Sequence, residues 1–385
     1  MKNTPTSRSL FAGLALCLGS LIAPLTATAA PTNPAGFAIQ RGTNISHWLS
    51  QDFGWAPRES WFTEKDVQFI AAQGFDHIRL PVDEKELWSA KGQAIESEFK
   101  RLITAIEWAQ KAGLRVIVDL HTLNSHHFNA VNEGLKNTLW TDPAEQEHLL
   151  DLWRDLSARL RHFPVDQVAY EILNEPVADN PEYWNQLIAK CYTMLRKAEP
   201  NRVFIFGANR WQMPENVPFL KVPEGDKNII LSFHTYTPLL LTHYKADWVP
   251  IKVYTGPVNY PGPIVSAETF AELTKSYDES LMNQIGNAAA DWGPALLRKE
   301  CEPAIRRAKE LGLQLYCGEF GCLPTVPRAA RLAYYRDLVG LYAAEGIAYA
   351  NWEYKGDFGI YEWLGLKDLC GQPDKDLIQI LAPKK

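Results

Sequence analysis

The chain has 385 residues, 46% of them hydrophobic and 22% charged, with a formal net charge of −6. That is globular composition with enough apolar surface for a large core. The acidic balance argues against nucleic acid or an anionic membrane surface as partner and leaves neutral ligands open.

At the N-terminus, Lys2 and Arg8 precede the apolar run "LFAGLALCLGSLIAPL", and small residues "TATAA" follow, with an A-x-A site at Ala27 to Ala29. This is the pattern of a secretory signal peptide over residues 1–29, and the run is too short for a comfortable membrane span. Cys17 follows Leu16, where a lipoprotein cleavage site would want a small residue. Cleavage is therefore expected near Ala29 or Ala30, giving a secreted or periplasmic chain over residues 30–385. Losing Lys2 and Arg8 moves the formal charge to about −8. No other stretch is long and apolar enough to span a bilayer.

Eight strand-like runs follow: "FAIQRGTNIS", "HIRLP", "RVIVDLH", "VAYEILNE", "VFIFGA", "NIILSFHTY", "QLYCGEFG" and "AYANWEY". Most lack polar alternation, as strands buried on both faces should. Helical patterns lie between them. "TEKDVQFIAAQG" opens at a Thr cap and ends at Gly74, "ESEFKRLITAIEWAQKAG" ends at Gly113, and "DPAEQEHLLDLWRDLSARLRHF" opens with an Asp cap and a Pro. The fifth helix, around Glu215 to Leu220, is weak. "GPALLRKECEPAIRRAKELG" and "PRAARLAYYRDLVGLYAAEG" come later. Alternation of this kind predicts a single-domain α/β fold, a (β/α)8 TIM barrel. A doubly wound sheet would usually show a Gly-rich phosphate turn after its first strand, and none is present. A long insertion runs from Thr237 to Gly293, and a segment of that length inside one domain is usually functional.

In such a barrel the active site lies at the C-terminal ends of the strands. Those ends carry Arg79, Asp119 and His121, Asn174 and Glu175, His234 and Tyr236, Glu319, and Trp352. Each has a bland reading. A lone Arg is usually an ion pair, with Glu171 the plausible partner here; a lone His is more often a satisfied core histidine; a lone Trp is more often core. Their convergence on one rim is what packing does not explain. Glu175 and Glu319, facing each other across a barrel mouth, suit glycoside hydrolysis. One carboxyl acts as nucleophile, the other protonates the leaving oxygen and later activates water. A gap of about 5–5.5 Å implies retention of configuration and a wider one inversion. Arg79 and the Tyr236 hydroxyl would hold Glu319 ionised. Asn174 can donate to a sugar hydroxyl, and Trp352 offers a face for a sugar ring.

The mature chain resembles glycoside hydrolase family 5. The residues that carry the likeness are Arg79 in "HIRLP", His121 in "VDLH", Asn174 and Glu175 in "LNEP", His234 and Tyr236 in "FHTY", Glu319 in "GEFG" and Trp352 in "ANWEY". They stand in the family's order on the expected strands. The resemblance implies a retaining O-glycosyl hydrolase with Glu175 as acid/base, Glu319 as nucleophile, and Asn174 on the 2-hydroxyl of the sugar being cleaved. The segments "RGTNISHWLSQ" and "FHTYTPLLLTHYKADW" resemble those of glucan-active members. The expected activity is an endo-β-1,4-glucanase, with β-1,3-glucanase or β-mannanase the alternatives on the same scaffold. The third loop, "HTLNSHHFNAVNEGLKNTLWTD", departs from the commoner Pro-Gly form.

Trp48, Phe53, Trp55, Trp211 and Trp248 fall in rim loops and are candidate sugar platforms, while Trp108 and Trp153 fall in helices and are expected in the core. Five cysteines remain after the signal: Cys191, Cys301, Cys317, Cys322 and Cys370. Their spacing matches no zinc pattern. Cys191 and Cys317 are expected to be buried, and Cys322 with Cys370 could bridge neighbouring loops. Two other classes compete. A metal-dependent hydrolase is invited by His121, His126 and His127, but strand one offers no His-x-His pair. A non-catalytic carbohydrate-binding barrel would normally have lost a catalytic acid. The expectation is a monomer acting on a polysaccharide or oligosaccharide, with no cofactor and no metal.

Overall fold

The computed structural model describes Met1 and residues 32–130 and 134–383. The N-terminal signal segment and its cleavage site lie almost wholly outside them. The eight runs form parallel strands β1 (Arg41–Asn44), β2 (His77–Asp83), β3 (Arg115–Thr122), β4 (Val168–Glu171), β5 (Phe204–Gly207), β6 (Ile229–Thr235), β7 (Gln314–Phe320) and β8 (Ala348–Asn351). Each pairs with its neighbour in chain order, and β8 closes on β1. The fold is a single (β/α)8 barrel.

Strand parity sorts the side chains into layers. Near the strand N-termini the barrel interior holds Ile117, Ala169, Ile205, Ile230 and Tyr316, a dry cluster separate from the main core. Two residues further along, the same face carries Asp119, Glu171, Gly207, Ser232 and Gly318. The outward positions, among them Val116, Val118, Leu231 and Phe233, pack against helix residues such as Leu102, Ile106 and Leu156 in the large outer core.

One register shift matters for the site. Phe233 of β6 pairs with Cys317, but the next residue, His234, pairs with Glu319, so β7 carries one extra residue at Gly318. A bulge of this kind re-aims the side chains that follow it. Cys317 stays outward, bonded to the Tyr342 hydroxyl at 3.2 Å, and Phe320 packs against Tyr335 and Tyr342. Glu319, between the bulge and Phe320, faces the barrel mouth.

The helices follow their sequence signals. Thr63 and Asp66 form a capping box before Glu64–Gln73. Asp142 caps Pro143–Leu160 and Asn180 caps Pro181–Ala198, each with Pro at the first turn. The weak fifth helix is a 3-10 turn, Pro214–Phe219, interrupted by Pro218. The insertion is folded rather than open. It contains helices Ala267–Ser276 and Glu279–Ile285, and Gly262 near its middle bridges Trp292 near its end, closing the two helices into one loop. Its Tyr260 hydroxyl donates to Asp337 at 2.6 Å, fastening it to the helix Arg328–Glu345.

Two expectations are corrected. Trp48 is no rim platform: it is 1% exposed, packs edge-on against Phe62, and its indole N–H donates to the Arg58 carbonyl. Cys322 and Cys370 form no bridge. Cys322 is buried in the main core, pinned through its backbone by Tyr335 and Arg331, while Cys370 is half-buried in a hairpin. That hairpin, β9 (Tyr361–Gly365) with β10 (Leu369–Pro373), is itself unanticipated. Cys191 and Cys317 are buried as expected. No helix among the described residues is long and apolar enough to cross a membrane.

Candidate active site

The site is built around Arg79 on β2, which is fully buried. Its guanidinium reaches Glu171 at 2.7 Å, Glu319 at 2.8 Å and Asp119 at 3.0 Å, and also donates to the Asn44 and Asn174 side chains, each at 2.9 Å. The expected Arg79–Glu171 pair is present, as one arm of this larger fork. A rigid planar cation with five donors suits the task, and a lysine could not span it.

Glu175 lies four residues beyond the end of β4, with a left-handed φ of 42°. Its segment is supported from behind by Trp153, whose indole N–H donates to the Ile172 carbonyl at 2.8 Å. In front, Glu175 Oε1 and His234 Nδ1 are hydrogen-bonded at 2.9 Å. Across the mouth, Glu319 accepts from Arg79 and, at 3.1 Å, from the Tyr236 hydroxyl. Oxygens of the two carboxyl groups and a nitrogen of His234 all lie within 4.8 Å of one another.

The electrostatics separate the two acids. Burial pushes the Glu175 carboxyl well up, and the negative charge of Glu319 pushes it further. Burial also raises Glu319, but Arg79 opposes that rise most strongly. Burial keeps Tyr236 protonated as a donor. His234 is held well below its usual value by burial, and His121 is lowered to about 4, so both rings are neutral near pH 7. Asp119 is pushed up to about 7 by burial, against the pull of Arg79. Asp119, Glu171, Glu175 and Glu319 share Arg79 as their buried cation, so the cluster retains protons, and Glu175 is the member best placed to hold one. Such divergence within a carboxyl pair is how acid and base roles are assigned.

Comparison with known proteins identifies the family. The model of the family described as cellulase (glycosyl hydrolase family 5) matches residues 27–357. The chain belongs to glycoside hydrolase family 5. It is 31% identical to endoglucanase C of Acetivibrio thermocellus over 354 residues, covering 90% of this chain and 99% of that protein. It is 29% identical to cellodextrinase A of Ruminococcus flavefaciens, over 80% of this chain and 84% of that one. Among solved structures, Thermotoga maritima Cel5A in complex with cellobiose superposes with a TM-score of 0.68 at 25% identity, covering 90% of this chain and 98% of that one.

As a family 5 member the chain is an O-glycosyl hydrolase, and the remaining sequence candidates can be placed on its rim. Trp352, buried at the end of β8, stacks parallel to His121 at 5.6 Å, and His121 is held by Asp119 at 2.7 Å. Trp248 is 49% exposed beside Phe358 and His243. Trp211 is half-buried, its indole N–H donating to the Phe128 carbonyl at 2.9 Å. Phe53 is 63% exposed against Trp55, which also packs on His47 and Trp363. Trp153 is core, and Trp108 packs half-buried against it.

His121, His126 and His127 do not converge on a metal. His126 accepts from the Val177 N–H at 3.2 Å and sits edge-on to Trp140, while His121 turns to Asp119. Among the described residues, two groups have ligand-atom spacing: Glu175, His234 and Glu319, and a rim group of His47, Glu353 and Asp357. In the first, the Arg79 cation beside Glu319 opposes a second positive charge. In the second, Glu353 is already taken by His47 at 3.1 Å, by Ser46 and by the Phe358 N–H.

Sequence reasoning missed several of these groups. Asn44 and Ser46 carry only the signal of lying near the end of β1. Gln212, whose Oε1 accepts from the Glu175 N–H at 2.8 Å, lies in a loop and carries none.

Proposed function

We propose that this enzyme is a retaining endo-β-1,4-glucanase. The observation that carries the reading is the pair Glu175 and Glu319, with carboxylate oxygens within 4.8 Å and unlike surroundings. That spacing fits the roughly 5–5.5 Å of double displacement better than the about 6.5–9.5 Å at which an inverting enzyme holds its acids to admit water. Protonated Glu175 donates to the glycosidic oxygen as the Glu319 carboxylate attacks the anomeric carbon. The aglycone leaves and a glycosyl–enzyme ester forms. Glu175, now ionised, takes a proton from water, which displaces Glu319 and restores both groups. Asn174 Oδ1 accepts from Arg79, leaving the amide N–H groups as donors for a sugar hydroxyl. Trp352, Trp248 and Trp211 supply apolar faces of the kind sugar rings stack on.

The glucan assignment is supported by the endoglucanase and cellodextrinase names of the relatives. Export to the periplasm or medium is supported by the basic, apolar and small-residue segments before residue 30. All the site residues belong to one barrel, which supports a monomer as the working unit.

A product profile tests the reading. The mature protein is incubated with carboxymethyl cellulose, mixed-linkage β-glucan, laminarin, xyloglucan and glucomannan, and reducing ends and oligosaccharide sizes are followed. Mixed oligomers from the β-1,4-linked glucans are expected. Activity confined to laminarin or to mannan would overturn the substrate and leave both Glu roles standing.

A further inference from the structure

We propose that Gln212 is a positioning residue for Glu175, fixing its backbone so that the carboxyl reaches the scissile bond. The inference rests on Glu175 being the acid/base.

Glu175 stands past the last ladder bond of β4 in a left-handed conformation that residues other than glycine seldom adopt. Such a backbone persists only where its surroundings hold it. The holder is Gln212. Its Oε1 accepts from the Glu175 N–H at 2.8 Å. Its Nε2 donates to Glu171 Oε1 at 3.2 Å and to Ser232 Oγ at 3.1 Å. Its own carbonyl accepts from the His234 N–H at 2.9 Å. One residue therefore ties together the backbone of the acid, the backbone of the histidine bonded to that acid, and a carboxylate of the Arg79 fork.

The fold makes special provision for this contact. Gln212 is fully buried although it lies in a loop, and it is the third of three successive left-handed residues, Arg210, Trp211 and Gln212. The chain thus turns back into the barrel after β5. Gly207, at the inward position of β5, opens the space: a Cβ there would lie 2.3 Å from the Gln212 side-chain carbonyl carbon. A plug for that space would need only volume. The amide instead satisfies three groups of the site, and a misplaced acid costs rate even when every catalytic group is present.

The test uses kcat/KM, which reports the glycosylation step, with aryl β-cellobiosides. Phenyl cellobioside has a poor leaving group that needs the acid, and 2,4-dinitrophenyl cellobioside a good one that does not. Gln212→Met keeps the volume and removes the bonds. It is expected to lose activity approaching 100-fold on the phenyl substrate and to stay within about twofold on the dinitrophenyl one. An equal loss on both, or no loss, would overturn the proposal, because a packing defect is blind to the leaving group. Gln212→Glu keeps an acceptor for the Glu175 N–H and should lose less than the Met variant on the phenyl substrate. A loss as deep as that of Met would also count against the backbone anchor. Glu175→Ala, run in parallel, separates the two claims. If it shows no leaving-group dependence, the acid/base assignment fails; if it does and Gln212→Met does not, only the role of Gln212 fails.

Discussion

Two layers of the barrel interior use the same strands, the same parity and the same near-total burial. Ile117, Ala169 and Ile230 fill one; two residues further along, Asp119, Glu171 and Ser232 fill the other. The lower layer is held mainly by volume, with a polar contact at its edge where the Tyr316 hydroxyl meets His77 Nε2 at 3.3 Å. The upper is held by one guanidinium shared among three carboxyl groups and two amides. Exposure does not tell the layers apart; the number and kind of partners does. Chemistry begins where the interior stops being satisfied by packing.

Substitutions should divide along that boundary. The largest effect is expected at the mouth. Glu319→Gln should lower kcat by about four orders of magnitude or more while oligosaccharide binding, measured calorimetrically, stays near wild type. Glu175→Gln should lower kcat/KM on natural glucan by about 10²–10⁴. It should also reshape the pH profile. Glu175 must be protonated and its pKa is raised, so wild-type kcat/KM holds above the ordinary carboxylate range and falls as pH climbs through that raised value. The Gln variant should lose this alkaline limb and keep the acid one, set by Glu319. An unchanged alkaline limb would reassign it.

One layer down the readout shifts to stability. Arg79→Met strands buried carboxylates and should cost about 3–5 kcal/mol in denaturant unfolding, along with nearly all activity. Ile205→Ala, in the dry layer, should cost about 2–5 kcal/mol and leave kcat/KM of the folded enzyme close to wild type. If both variants lose activity in proportion to stability, the two layers are not functionally distinct. The smallest effect belongs to the rim. Trp248→Ala should raise KM several-fold, equivalent to about 1 kcal/mol, with melting unchanged, whereas Trp48→Ala should lower stability by about 3–5 kcal/mol.

That last pair shows where the sequence could and could not be read. The eight strands and their flanking helices were legible because burial on both faces, or on one stripe, writes a period into the chain. The residues at the strand ends were legible because polar groups interrupt that apolar pattern. Trp48 and Trp248 were not distinguishable, since a core and a sugar face both select a large flat side chain. The β9–β10 hairpin was hidden because "YEWLG" and "LCGQP" are short and half-exposed. Gln212 was invisible because its importance lies in three left-handed residues and an absent side chain at Gly207, and neither leaves a local pattern.

The extra residue in β7 has a consequence for how such chains drift. Without Gly318, Cys317, Glu319 and Phe320 would run outward, inward, outward opposite Phe233, His234 and Thr235, so Glu319 would still face the mouth. What the position supplies is clearance rather than direction: a Cβ there would lie 2.8 Å from His234 Nε2 and 3.0 Å from Ser232 Oγ. Any side chain at that point would press on the histidine bonded to Glu175 and on the hydroxyl bonded to Gln212. A change from glycine to alanine there removes no functional group, and a comparison that scores only residue similarity would count it among the mildest of replacements.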